Sequence, residues 1–129
     1  MNLFSSITEE RFSYLVNDFG FSEPVATDGS WKTTFLYIND QIGIEIELNY
    51  RDMDAFIFIM KLENGKTPDH RMEEEPEKSH LEDILNIQRK KSNGDQTTIE
   101  QFEVGIFNKS ELLRNHIAGI IKKRAVLLN

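Results

Sequence analysis

Two hydrophobic rhythms divide this 129-residue chain: helical spacing at its start and near its end, and strict alternation between them. Phe12, Leu15, Val16 and Phe19 recur every three or four residues, which places them on one face of a helix. Ser6-Ile7-Thr8-Glu9 has the form of a capping box, in which a hydroxyl and a carboxylate satisfy the free N–H groups of a first turn. Gly20 suits the stop, because glycine takes the left-handed conformation at little cost. The pattern predicts a helix over about 7–19. The middle of the chain changes period to two. "WKTTFLYI", 31–38, is rich in aromatic and β-branched residues. "QIGIEIELNY", 41–50, puts Ile42, Ile44, Ile46, Leu48 and Tyr50 on one face and Gln41, Gly43, Glu45, Glu47 and Asn49 on the other. "AFIFIMKL", 55–62, is apolar on both faces, as in a central strand or one whose second face is covered.

Turn chemistry separates these runs. Asp28-Gly29, Asn39-Asp40, Arg51 to Asp54 and Asn64-Gly65 are short links of hairpin type. Residues 21–27 form a weaker strand candidate, confined to an edge by Pro24, which has no N–H for a ladder. "KTPDHRMEEEPEKS", 66–79, has two prolines and no apolar periodicity, and is expected to be an exposed loop. Ser79-His80-Leu81-Glu82 repeats the capping-box form and opens a helix with Leu81, Ile84 and Leu85 inward, closed by 90–96. Residues 98–107 fit strand and helix alternation about equally. Asn108 or Ser110 caps a last helix bearing Leu113, Ile117, Ile120 and Ile121, with Lys122, Lys123 and Arg124 near its C-terminal end. Strands grouped between helices and joined by short links define an α+β class. The expected architecture is a single domain, 1–129. It has an antiparallel meander of three to four strands, an N-terminal helix, and two to three C-terminal helices on one face.

Composition narrows the functional classes. The charged fraction of 29% and apolar fraction of 39% are those of a folded globular protein. The absence of cysteine excludes disulfides, thiolate zinc sites and thiol catalysis, and it suits a reducing, cytoplasmic setting. No signal-like start and no run of roughly 20 apolar residues occurs, so neither secretion nor membrane insertion is expected. The net charge of −7 is uneven: residues 1–83 hold seven basic against eighteen acidic side chains, and residues 84–129 hold eight against four. An acidic majority disfavours nucleic acid, whose binding depends on neutralising phosphates, and favours a basic partner.

Glu45 and Glu47 stand side by side, roughly 6–7 Å apart at the backbone by strand rise. That spacing would suit a hard metal ion or an acid–base pair. Magnesium nucleases often follow such a strand with an acid-x-lysine strand, but Ile59 stands two positions before Lys61. Solvation or docking is therefore the better account of the pair. His70, His80 and His116 do not form a metalloprotease motif, and His70 beside the 73–77 acids is the nearest approach to a metal set. There is no nucleophile elbow and no glycine-rich phosphate loop; "ENGKT", 63–67, is a turn with a lysine in it. Neither catalytic residues nor a metal or cofactor is expected. Trp31 and Tyr37, with Phe35 between them, either pack in the core or extend a partner surface.

The segment "FSYLVNDFGF", 12–21, followed by a strand meander and a late Leu/Ile helix, resembles a set of small bacterial α+β domains. Some of these are immunity proteins that accompany polymorphic toxins. The resemblance covers roughly the first 60 residues and carries no catalytic motif. It implies a non-enzymatic protein-binding module that occludes a basic toxin. Acidic side chains would steer the encounter and a few aromatics would anchor it. The residues expected to bind are Glu45, Glu47, Trp31, Tyr37, Glu73, Glu74 and Glu75. A homodimer joined through the sheet, or an enzyme or small-ligand protein of unfamiliar type, are the alternatives.

Overall fold

The computed structural model describes residues 3–40, 42–62, 78–88 and 98–127. Two short helices open it, α1 (Leu3–Arg11) and α2 (Tyr14–Asn17), followed by strands β1 (Val25–Asp28), β2 (Lys32–Ile38), β3 (Ile42–Asn49), β4 (Asp54–Lys61) and β5 (Lys78–His80). A one-turn helix α3 (Leu81–Ile84) and a long helix α4 (Ile99–Leu127) complete the chain. The strands lie in sequence order, each antiparallel to the next. The α+β class and the meander are as expected, with a fifth strand added by Lys78–His80.

Alternation determines which face each strand buries. Phe35, Ile46 and Ile57 lie in register across the sheet, as do Tyr37, Ile44 and Ile59. All six are buried, and they form one core with Phe12, Leu15, Leu81, Phe102, Ile106, Leu113, Ile117 and Ile120 from the helices. Ile42, Ile44, Ile46 and Leu48 are each 0% exposed. Slipping β3 by one residue would turn all four to the other face, at a cost on the order of 10 kcal/mol. The register is pinned by that burial.

The N-terminal helix differs from expectation. It begins at Leu3, so Ser6 and Glu9 lie inside it, and Thr8 Oγ1 donates back to the Phe4 carbonyl at 2.7 Å. At Phe12–Ser13 the helix tightens, with Leu15 N–H bonding Phe12 O and Val16 N–H bonding Ser13 O, and this break separates α2. Gly20 does end the helical region, in the left-handed conformation with φ of 75°. That turn carries Phe21 into the core.

At the other end, 99–107 is helical. Phe102 and Ile106 face inward while Val104 and Phe107 remain exposed, which removes the strand reading. The cap at Asn108 or Ser110 is also overturned, because α4 runs through both. Ser110 Oγ instead donates to the Arg11 carbonyl, and Tyr14 Oη donates to the Ser110 carbonyl, both at 2.8 Å. These two bonds fasten α4 to the α1–α2 junction. The start of α4 is a true capping box: Gln101 N–H bonds Thr98 Oγ1, and Thr98 N–H bonds Gln101 Oε1. The expected box at Ser79–Glu82 is not one, since Ser79 is in β5 and His80, at the N-cap, makes no side-chain capping bond. The expected loop before Lys78 and the closure at 90–96 lie outside the described residues, and α3 already ends at Ile84.

Candidate functional site on the outer sheet face

The face of the sheet turned away from the core is built in cross-strand rows. Leu36, Glu45, Phe58 and His80 form one row, and Thr34, Glu47 and Phe56 form the next. Ile38, Gly43, Met60 and Lys78 form a third. None of these side chains belongs to the main core. The two glutamates therefore rise from a bed of half-buried Leu36, Ile38, Phe56 and Phe58. Leu36 and Ile38 are apolar at positions where a merely wet face would be polar, which is the signal the strand pattern offered for them.

Each glutamate is held by a lysine from a different strand. Lys78 Nζ donates to Glu45 Oε2 at 2.8 Å, reaching over the Phe58 ring at 4.6 Å from its centroid. Lys32 Nζ lies 3.5 Å from Glu47 Oε1. The His80 ring packs 4.5 Å from Phe58 and edge-on to Phe56 at 6.0 Å. Both lysines are substantially exposed, so each pair contributes only about 0–1 kcal/mol to stability. Gly43 gives the third row its shape, since a side chain there would press on Met60 and Leu62, both buried.

Of the anchors expected from sequence, Trp31 and Tyr37 part company. Trp31 precedes β2, is 41% exposed, and has Lys32 Nζ at 5.3 Å and the Arg51 guanidinium at 5.8 Å from its ring. Tyr37 is 1% exposed on the core face, so it is not a surface anchor. The alternation that points Phe35 inward carries Tyr37 with it, while Trp31 escapes beyond the end of the strand. Glu73, Glu74 and Glu75 lie outside the described residues. Sequence reasoning overlooked Lys32, Lys78 and His80. The cross-strand register that brings them to the glutamates is set by tertiary pairing.

Other ionisable groups join the elements together. Glu82, 3% exposed, takes the ammonium of the partly exposed Lys109 in a pair between α3 and α4. Burial pushes the nearby Asp54 carboxyl above its usual range, against the pull of the Ala55 N–H and of Lys109. Among the described residues no three His, Cys, Asp or Glu side chains gather as a metal set, and no helix is long and apolar enough to cross a membrane. No family model, curated protein or solved structure matches the chain.

Proposed function

We propose that this protein is a non-enzymatic, immunity-type binding module that engages a basic, toxin-like partner through the outer face of its sheet. The observation that carries the reading is the placement of Glu45 and Glu47 among half-buried Leu36, Ile38, Phe56 and Phe58, outside the core that takes up the helices. A partner's arginine would exchange two weak pairs, exposed at their lysine ends, for bidentate bonds to the same carboxylates. The surrounding apolar side chains would supply the desolvated ring that makes such bonds count. Trp31, at the end of the same sheet, extends the contact. A cytoplasmic setting suits a protein without cysteine.

Affinity purification from the native source, followed by binding assays with the purified partner, tests this. Recovery of a basic protein whose binding is lost in the double variant E45K/E47K, with the fold intact by circular dichroism, supports the proposal. Binding that survives the charge reversal overturns it. Light scattering that shows a homodimer disrupted by the same variant would also overturn it, by assigning the face to a second copy.

A further inference from the structure

A second site lies on the helical side of the molecule, away from the outer sheet face. A cleft of about 330 Å³ opens where α1 and α2 meet the segment leading into β1, with Tyr37 of β2 among its lining residues. Its size is at the lower end of the range for small-molecule sites, roughly 300–1,000 Å³. Val16 and Pro24 give it apolar walls, and Glu9 and Glu23 bring two carboxylates to it. Neither glutamate has an ion-pair partner among the described residues, in contrast to Glu45, Glu47 and Glu82. No lysine or arginine lines the cleft.

The independent observation is Tyr37. Tyr37 is 1% exposed, yet its hydroxyl has no hydrogen-bond partner among the described residues. Tyr14, the other deeply buried tyrosine, shows what the fold does with a phenol that serves structure: it donates to the Ser110 carbonyl. Tyr37 instead lines the cleft with Glu9 and Glu23; burial first, and then the charges of Glu9, Tyr14 and Glu23, hold its phenol in the neutral form. A neutral phenol both donates and accepts. An unsatisfied buried hydroxyl beside two unpaired carboxylates asks for a ligand rich in donors and positively charged.

We propose that the Glu9–Glu23–Tyr37 cleft binds an organic cation, an alkylammonium or alkylguanidinium group whose N–H donors are shared among the two carboxylates and the Tyr37 oxygen. The alkyl stem lies against Val16 and Pro24. The same chemistry arrives either as a free small amine or as a lysine or arginine side chain of a protein. The inference stands apart from the outer-face proposal, because none of these residues belongs to that face.

Titration of the full chain with agmatine and with 1,4-diaminobutane, followed by backbone amide chemical shifts, tests it. Saturable shifts clustered at Glu9, Val16, Asn17, Glu23 and Tyr37 are expected. E9Q and E23Q should each weaken binding at least tenfold. Y37F should weaken it severalfold while leaving the unliganded melting temperature equal or higher, a combination that a purely structural hydroxyl would not give. A capped arginine peptide serves as the second arm: tighter binding than agmatine identifies a protein side chain as the ligand, and weaker binding identifies a free amine. Shifts that do not saturate at millimolar ligand, that are reproduced by equal sodium chloride, or that persist in E9Q/E23Q overturn the proposal.

Discussion

Gly43 is the position on β3 where the outer face has no side chain, and its neighbours occupy the space. A Cβ built there meets Met60 Cγ at 2.8 Å and Leu62 Cδ2 at 3.4 Å. Cγ is a mid-chain atom, so relief requires a new Met60 rotamer in a buried setting. Gly43→Ala is expected to destabilise by about 1–3 kcal/mol despite its better strand propensity. Urea denaturation measures this, and the double variant with Met60→Ala should lose less than the sum of the two single changes if the contact is the cause. Asp54 gives a prediction in pH. Burial raises its folded pKa above the unfolded value, with Asp52 and Glu82 adding to the effect and the Ala55 N–H and Lys109 opposing it. A raised folded pKa favours the fold fully below the unfolded value of about 3.9 and loses that contribution as pH rises through the folded value. At pH 7 the ionised carboxylate is thus a net cost. Asp54→Asn keeps an acceptor for the Ala55 N–H, bonded now at 2.8 Å. The variant should melt higher than the parent at pH 7, with the gap closing toward pH 4.

At the scale of elements, the pair between α3 and α4 carries the sharpest expectation. Lys109 is partly exposed while Glu82 is not, so the two halves are unequal. Lys109→Met would strand a carboxylate in the core and should cost about 2 kcal/mol or more, below the roughly 3–5 kcal/mol of a fully buried pair. Glu82→Gln leaves a lysine able to reach water and should cost less. Thermal melts of both variants check the order. The same elements show how far the sequence was legible. β2, β3 and β4 were readable to within a residue or so because alternation there is enforced by burial on one face. α4 was not, because exposed Val104 and Phe107 interrupt a stripe that only Phe102 and Ile106 bury. The capping-box form occurs at Ser6, Ser79 and Thr98 among other places; at Thr98 both bonds are made, whereas Ser6 lies inside α1 and Ser79 in β5. The motif records what a helix start can use, and tertiary packing decides where the helix starts. β5 had no signal at all, being three residues whose pairing depends on β4. The β3–β4 turn was located correctly, but nothing in "RDMD" announces that Met53 takes a positive φ of 51°. As for the site, alternation placed Glu45 and Glu47 outward, whereas their lysine partners depend on register between strands.

For the whole molecule, the distribution of charge separates how a partner arrives from how it stays. A net charge of −7 on a small chain creates a long-range field that accelerates encounter with a basic protein and weakens within a Debye length of about 8 Å at physiological salt. Glu45 and Glu47 contribute to that field, but Lys78 and Lys32 already neutralise them locally. Their removal should therefore slow association only modestly at low salt and hardly at all at high salt. Phe58 is different. It sits beneath the Lys78 ammonium, against His80 and beside Glu45, so truncating it removes the apolar floor on which the charged groups stand. Phe58→Ala should leave the association rate near that of the parent and raise the dissociation rate by tenfold or more, as expected of an anchor within a desolvated ring. Surface plasmon resonance at two ionic strengths resolves the two effects for any partner the outer face binds. A Phe58→Ala variant that dissociates at the parental rate would show that the sheet face is steered toward but not occupied. The binding would then have to be sought at Trp31 and the end of the sheet.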